Sequence, residues 1–173
     1  MGFVSLRSTA KDAPSFLRWV GGADYGDFCI YHIHAPDSSN GSVAVAKRRS
    51  RVVWDLTEMV AAFAAADVVH MAQYRMQLAQ GPVIHYTATR SQQRKMPEVL
   101  LTGELNGTEY LALRAVRDND THEGSIARIV SLYAGYSRAR SKKICTALNR
   151  KGFLESAGAR RLKMSKLGYD AVR

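Results

Sequence analysis

Cysteine is nearly absent from this chain. Its two copies, Cys29 and Cys145, lie far apart in unlike contexts. That excludes a disulfide framework and predicts a reducing, cytoplasmic setting. Long apolar runs are missing too, since none approaches the ~18–20 residues needed to cross a bilayer. Position 6 is Leu6, where N-myristoylation requires Ser or Thr. No secretory signal is visible, so a soluble protein without a membrane partner is expected. The vocabulary of catalysis is equally thin: there is no glycine-rich phosphate loop, no Gly-x-Ser-x-Gly elbow and no His-Glu-x-x-His. Asp118, Asp120 and Glu123, gathered around Asn119 and His122, read as a loop between helices. The sequence predicts neither an enzyme nor a cofactor.

Acidic residues are also in deficit, with 25 Lys/Arg against 15 Asp/Glu and a formal charge of +10. The excess is uneven. Residues 107–173 carry 14 cations and 6 acids, a net of +8, and residues 1–106 carry 11 and 9, a net of +2. With 173 residues and 46% hydrophobic content, the chain has room for two small domains with real cores. A basic half beside a near-neutral half points to a polyanion-binding module and a second module with another role.

The basic half is organised around residues 125–166. Stepping 100° per residue from Ile126, the side chains of Ile129, Val130 and Tyr133 fall within about 60° of it, with Arg128 and Ser131 opposite, which predicts a short amphipathic helix. Gly135 ends that helix and Ser137 offers an N-cap for the next. On the second helix Ser137, Ser141, Ile144, Ala147 and Leu148 form one stripe. Arg138, Lys142, Thr146 and Asn149 form the opposite one, flanked by Lys143 and Arg150. Gly152 stops the helix. Phe153 and Leu154 begin an extended segment that turns near Ala157 and Gly158 and returns through Arg160, Arg161, Leu162, Lys163 and Met164. Helix, tight turn, basic helix and basic hairpin together predict a winged helix-turn-helix.

The succession Leu148, Lys151, Gly152, Phe153 and Leu154, then Arg160 and Arg161, then Met164, Ser165 and Gly168, resembles the C-terminal two-thirds of a MarR-like winged-helix domain. In that family a Lys-Gly-aliphatic step follows the second helix, a short basic wing comes next, and a Leu-Thr-x-x-Gly pattern opens a further helix. The likeness runs from Thr108 to Arg173. It departs from the family at Ser141, where an aliphatic residue is usual, and in a wing without the acidic residue that often precedes its arginines. The resemblance implies double-stranded DNA as partner. The helix over 137–151 would enter the major groove, and the wing over 154–164 would lie on the backbone. The contact set is then Arg138, Arg140, Lys142, Lys143, Thr146, Asn149, Arg150, Arg160, Arg161 and Lys163.

The first half reads as a small β-α-β-β unit. Pro14 opens a short helix carrying Phe16, Leu17 and Trp19 and ended by Gly21 and Gly22. A strand over 27–34 precedes loop chemistry over 35–42. A helix over 52–66 buries Val53, Leu56, Met59, Val60 and Phe63, with Asp55 and Glu58 on its far side. Two strands over 68–78 and 83–89 form a hairpin. Residues 90–95 are linker-like, and Val99, Leu100 and Leu101 fit either a strand or a helix start. Lys47, Arg48, Arg49 and Arg51 stand just ahead of the 52–66 helix, where cations oppose its macrodipole. They read as a solvated loop or a supplementary DNA contact. Cys29, His32, His34, His70 and His85 hold metal-ligating chemistry, but a regular strand puts Cys29 on the face away from His32 and His34, so no metal is expected.

The fold class is therefore α+β: an N-terminal module over 1–95 followed by a winged helix-turn-helix over 97–173. The expected function is transcriptional regulation of prokaryotic or phage-like style. An excisionase-like architectural factor and a winged-helix protein-interaction module are the alternatives. A homodimer is expected through the first module, by way of Ala61, Ala62 and Ala65 or a strand edge. Only Tyr169 to Arg173 follow Gly168, so the long C-terminal helix of MarR-like dimers is not expected.

Overall fold

The computed structural model describes residues 7–34, 43–91, 96–119, 125–158 and 161–173. The fold is mixed α+β, and the chain divides into two compact units, Met1–Met96 and Pro97–Arg173. Among the described residues no helix is long and apolar enough to cross a membrane.

The first unit contains β1 (Arg7–Thr9), α1 (Ala13–Gly22), β2 (Phe28–His34), α2 (Val43–Arg49), α3 (Arg51–Ala65), β3 (Val69–Leu78) and β4 (Gly81–Arg90). Asp12 and Ser15 close a capping box on α1, with Pro14 in the first turn, and the helix ends at Gly22 as its sequence predicts. Ser50 caps α3. The strands form one sheet in the order β1-β2-β4-β3, with β1 parallel to β2 and the other pairs antiparallel. Its core gathers Phe16, Val20, Leu56, Val60, Phe63 and Val68, all essentially inaccessible. The rings of Phe16 and Phe63 meet edge to face at 5.7 Å. The observed β2, α3, β3 and β4 correspond to the expected β-α-β-β succession; β1 and α2 are additional.

This unit departs from its sequence expectations at several residues. Lys47, Arg48 and Arg49 occupy the last turn of α2, where cations complement a helix dipole instead of opposing it. Glu58 is buried, and its Oε1 meets the Lys47 ammonium at 2.6 Å, while that ammonium also sits 4.5 Å above the Trp54 ring. Arg51 pairs with Asp55 one turn away at 2.9 Å. Ala62 is fully buried, and Ala61 and Ala65 are half-buried, so the alanines do not form an outer face. The register of β2 against β4 shifts between Ile30 and His32. This bulge turns Cys29, opposite Ala88, to the same side as His32 and His34, opposite Tyr86 and Ile84.

The second unit contains α4 (Glu98–Leu101), α5 (Gly107–Asp118), α6 (Ile126–Tyr133), α7 (Arg138–Arg150), β5 (Leu154–Ser156), β6 (Leu162–Met164) and α8 (Lys166–Ala171). Val99, Leu100 and Leu101 belong to a helix. A capping box between Asn106 and Glu109 starts α5. Leu100, Leu105, Tyr110, Leu113, Val130, Leu148 and Leu154 fill the core. Asp118 closes α5 beside Arg114 and Arg117, and Asp120 and Glu123 lie outside the described residues. Tyr133, expected on the buried stripe of α6, is half exposed, as is Leu132.

Candidate nucleic-acid interface

The interface candidate starts from a turn. Gly135 has φ 72, in the left-handed region that glycine enters without steric cost. Tyr136 is buried after it, and its carbonyl accepts from the Ser131 hydroxyl at 2.8 Å. Ser137 then caps α7 by accepting from the Arg140 amide. These contacts fix how the chain leaves α6 and enters α7, and so which stripe of α7 faces the core.

That inward stripe is Ser141, Ile144, Cys145 and Leu148, all buried. The hydroxyl of Ser141, where the MarR-like pattern carries an aliphatic residue, donates to the Ser137 carbonyl at 3.0 Å. A polar atom thus enters the core already satisfied within its own helix. Burial pushes the Cys145 thiol up to about 11, which removes it from nucleophilic chemistry near neutrality.

Outward, Arg138, Lys142, Lys143, Thr146, Asn149 and Arg150 are all exposed. Arg140 is half-buried, with its guanidinium 5.6 Å from the centre of the Tyr136 ring. Thr146 donates its hydroxyl proton to the Lys142 carbonyl at 3.0 Å, which leaves oxygen lone pairs but no donor for another partner. No acidic residue occurs in α7, so its outer surface presents cations and amide groups without internal neutralisation. Such a surface suits phosphate oxygens and the acceptor-rich edges of bases. Lys151, just past the helix, serves the fold instead. Its ammonium meets Glu109 Oε2 and the Glu104 carbonyl, both at 2.8 Å.

The hairpin after α7 is short. Leu154 pairs with Met164, Glu155 with Lys163 and Ser156 with Leu162. Arg161 is exposed next to the turn, where its amide donates to the Gly158 carbonyl. Arg160 lies outside the described residues. The Lys163 ammonium sits 2.9 Å from Glu155 Oε1, so part of its charge is already answered across the strand pair. Sequence reasoning missed Glu155 as a group acting on this surface, because the pairing depends on register.

The hairpin is anchored from below by Ser165. Its hydroxyl donates to the Gly152 carbonyl at 2.6 Å and accepts from the Gly168 amide at 3.1 Å. Gly168 permits that closeness, since a Cβ there would lie 2.3 Å from the Phe153 carbonyl oxygen and 2.8 Å from Met164 Cγ.

In the first unit, Cys29 is fully buried, and burial pushes its thiol up to about 11. His70 and His85 lie opposite Thr89 and Tyr74 on the hairpin. Among the described residues no three His, Cys, Asp or Glu side chains come close enough to hold a metal ion. No known protein family, curated protein or solved structure matches the chain.

Proposed function

We propose that residues 97–173 are a winged helix-turn-helix that binds double-stranded DNA sequence-specifically, and that the protein is a transcriptional regulator. α7 enters the major groove, and the β5–β6 hairpin lies along the phosphate backbone. One observation carries this reading: the side of α7 away from the core presents Arg138, Lys142, Lys143, Thr146, Asn149 and Arg150 to solvent, and the helix contains no acid. A major groove about 12 Å wide admits one such helix, and arginine, lysine and asparagine match its base acceptors. The MarR-like succession from Leu148 to Gly168 supports the same assignment. The protein acts by occupying a DNA site, without a chemical step.

Selection of bound duplexes from a random pool, followed by gel-shift titration, tests it. Arg138→Ala with Lys142→Ala should abolish preference for the selected site while the thermal unfolding curve stays unchanged, because both side chains are solvent-exposed. Each lost base contact costs about 1–3 kcal/mol. Wild-type protein without salt-dependent DNA binding, or a double mutant equal to wild type, refutes the assignment.

A further inference from the structure

The two edges of the first unit's sheet are unlike. One is β1, three residues long. The other is β3, ten residues long, in unbroken register with β4 from Val69↔Arg90 to Leu78↔Gly81. Proteins blunt such edges with short strands, proline, bulges or charges, because an open edge is a template for another strand. β3 has no proline or bulge, and its only charged residue is Arg75.

The direction of its backbone groups follows from its neighbours. Pro82, opposite Gln77, has no N–H, and the Arg90 amide, opposite Val69, donates to Asp27 instead of to β3. Both are therefore pairs without reciprocal backbone hydrogen bonds, and the alternation of an antiparallel ladder extends this to every odd position. The amides and carbonyls of Val69, Met71, Gln73, Arg75 and Gln77 point away from β4, toward an edge that no strand pairs among the described residues. Met71, Tyr74 and Leu78 are exposed at 51%, 56% and 43%, with Met71 on one face of the sheet and the other two on the opposite face.

We infer that β3 pairs antiparallel with β3 of a second copy, joining the two four-stranded sheets into one. The edge suits a copy of itself. A two-fold axis normal to the sheet sets residues of like parity opposite each other, and the two registers of fullest overlap centre on Gln73 or Tyr74. In these registers Arg75 lies opposite Met71 or Gln73 of the second copy, so like charges never meet. In the Tyr74-centred register the Gln73 amide oxygen is placed to accept from the guanidinium on both sides of the axis. A ten-residue strand is about 34 Å long. With the side chains beside it, the covered strip is on the order of 500 Å² per copy, at the lower limit of specific interfaces. This pairing does not depend on DNA binding by the second unit, and its test is made without DNA.

Sedimentation equilibrium of the full chain, from low micromolar to sub-millimolar concentration, should show conversion of the 19.1 kDa monomer to a dimer of twice that mass. Met71→Lys with Gln73→Lys, both at exposed edge positions, should weaken dimerisation at least about tenfold and leave the circular dichroism spectrum unchanged. Single substitutions Gln73→Cys and Tyr74→Cys supply a check that does not require the lysines to be tolerated. At least one should form a covalent dimer on mild oxidation, and Thr9→Cys on the opposite edge should not. A protein monomeric at every concentration overturns the inference, as does a correctly folded lysine variant that dimerises like wild type. Failure of both cysteine variants to cross-link overturns it too.

Discussion

The Ser165 hydroxyl donates to the Gly152 carbonyl at 2.6 Å and so ties the start of α8 to the residue where α7 hands over to the hairpin. Ser165 is buried, and the same oxygen accepts from the Gly168 amide. Ser165→Ala should therefore cost about 1–3 kcal/mol, as expected for losing an N-cap and leaving buried polar groups unpaired. Urea unfolding should show a lower midpoint at constant slope. A change within about 0.5 kcal/mol would mean that water replaces the hydroxyl at no cost.

Glu155 restrains Lys163 on the hairpin, with both side chains largely exposed. If the hairpin lies on DNA, Glu155→Ala should raise affinity for all sequences, since it removes a like charge from the phosphates and releases a cation. The salt dependence of log K should steepen by up to about 0.9. Arg161→Ala should flatten it by a similar amount, whereas Lys163→Ala should do less. Titrations against a non-cognate duplex at several salt concentrations read all three. An unchanged slope for Glu155→Ala would remove the hairpin from the interface.

Lys47 and Glu58 form a mostly buried ion pair, with side chains 24% and 6% exposed. Removing Lys47 takes its ammonium away from the buried Glu58 carboxylate, whereas replacing both groups of a buried pair with apolar ones is often nearly neutral. Lys47→Met should destabilise the first unit by about 2–3 kcal/mol, discounted from the fully buried case because Lys47 keeps some solvent. The double change Lys47→Met with Glu58→Leu should recover most of that. Thermal unfolding of the three variants gives the comparison; equal losses in single and double variants would deny the coupling.

Burial raises the affinity of Asp118 for its proton, but hydrogen bonds from Arg117 and Arg114 outweigh this and hold its carboxyl below the usual range. A folded pKa below the unfolded ~3.9 stabilises above the unfolded value, and that contribution is lost as pH falls through the folded one. Asp118 is 46% exposed, so the effect is small, up to about 1 kcal/mol. Asp118→Asn should lower stability at pH 7 and converge with wild type on the acid side. A difference that persists unchanged down to pH 2 would assign the loss to something other than charge.

What the sequence disclosed was mostly local. Gly135 and Ser137 punctuate α6 and α7, and the alternation of cations with Ile144 and Leu148 marks the faces of α7, because each signal lies within a few residues of what it controls. The stripe on α3 was legible for the same reason. β1 was not, since three residues become a strand only through parallel pairing with β2. α2 was hidden behind loop-forming residues, so its three cations were assigned to the wrong end of a helix. Glu58 looked solvated because its partner stands eleven positions away on another helix. Ala62 signalled nothing, since alanine is tolerated inside and outside alike. The bulge near Tyr31 reversed the side assigned to Cys29, a change that only the register against β4 reveals.

The strand order β1-β2-β4-β3 has a consequence for how the two units acquire their structure. In the first unit, β2 obtains its antiparallel neighbour only when β4 arrives, after α2, α3 and β3 have all been laid down. Closing that long loop before any pairing energy returns slows the search, and it leaves β2 with one side open in the meantime. In the second unit, α6 packs on α7, α7 on β5 and β5 on β6, each next to its neighbour in the chain. Local order of that kind forms quickly. In a refolding experiment the C-terminal half should complete first, and the sheet should set the slow phase.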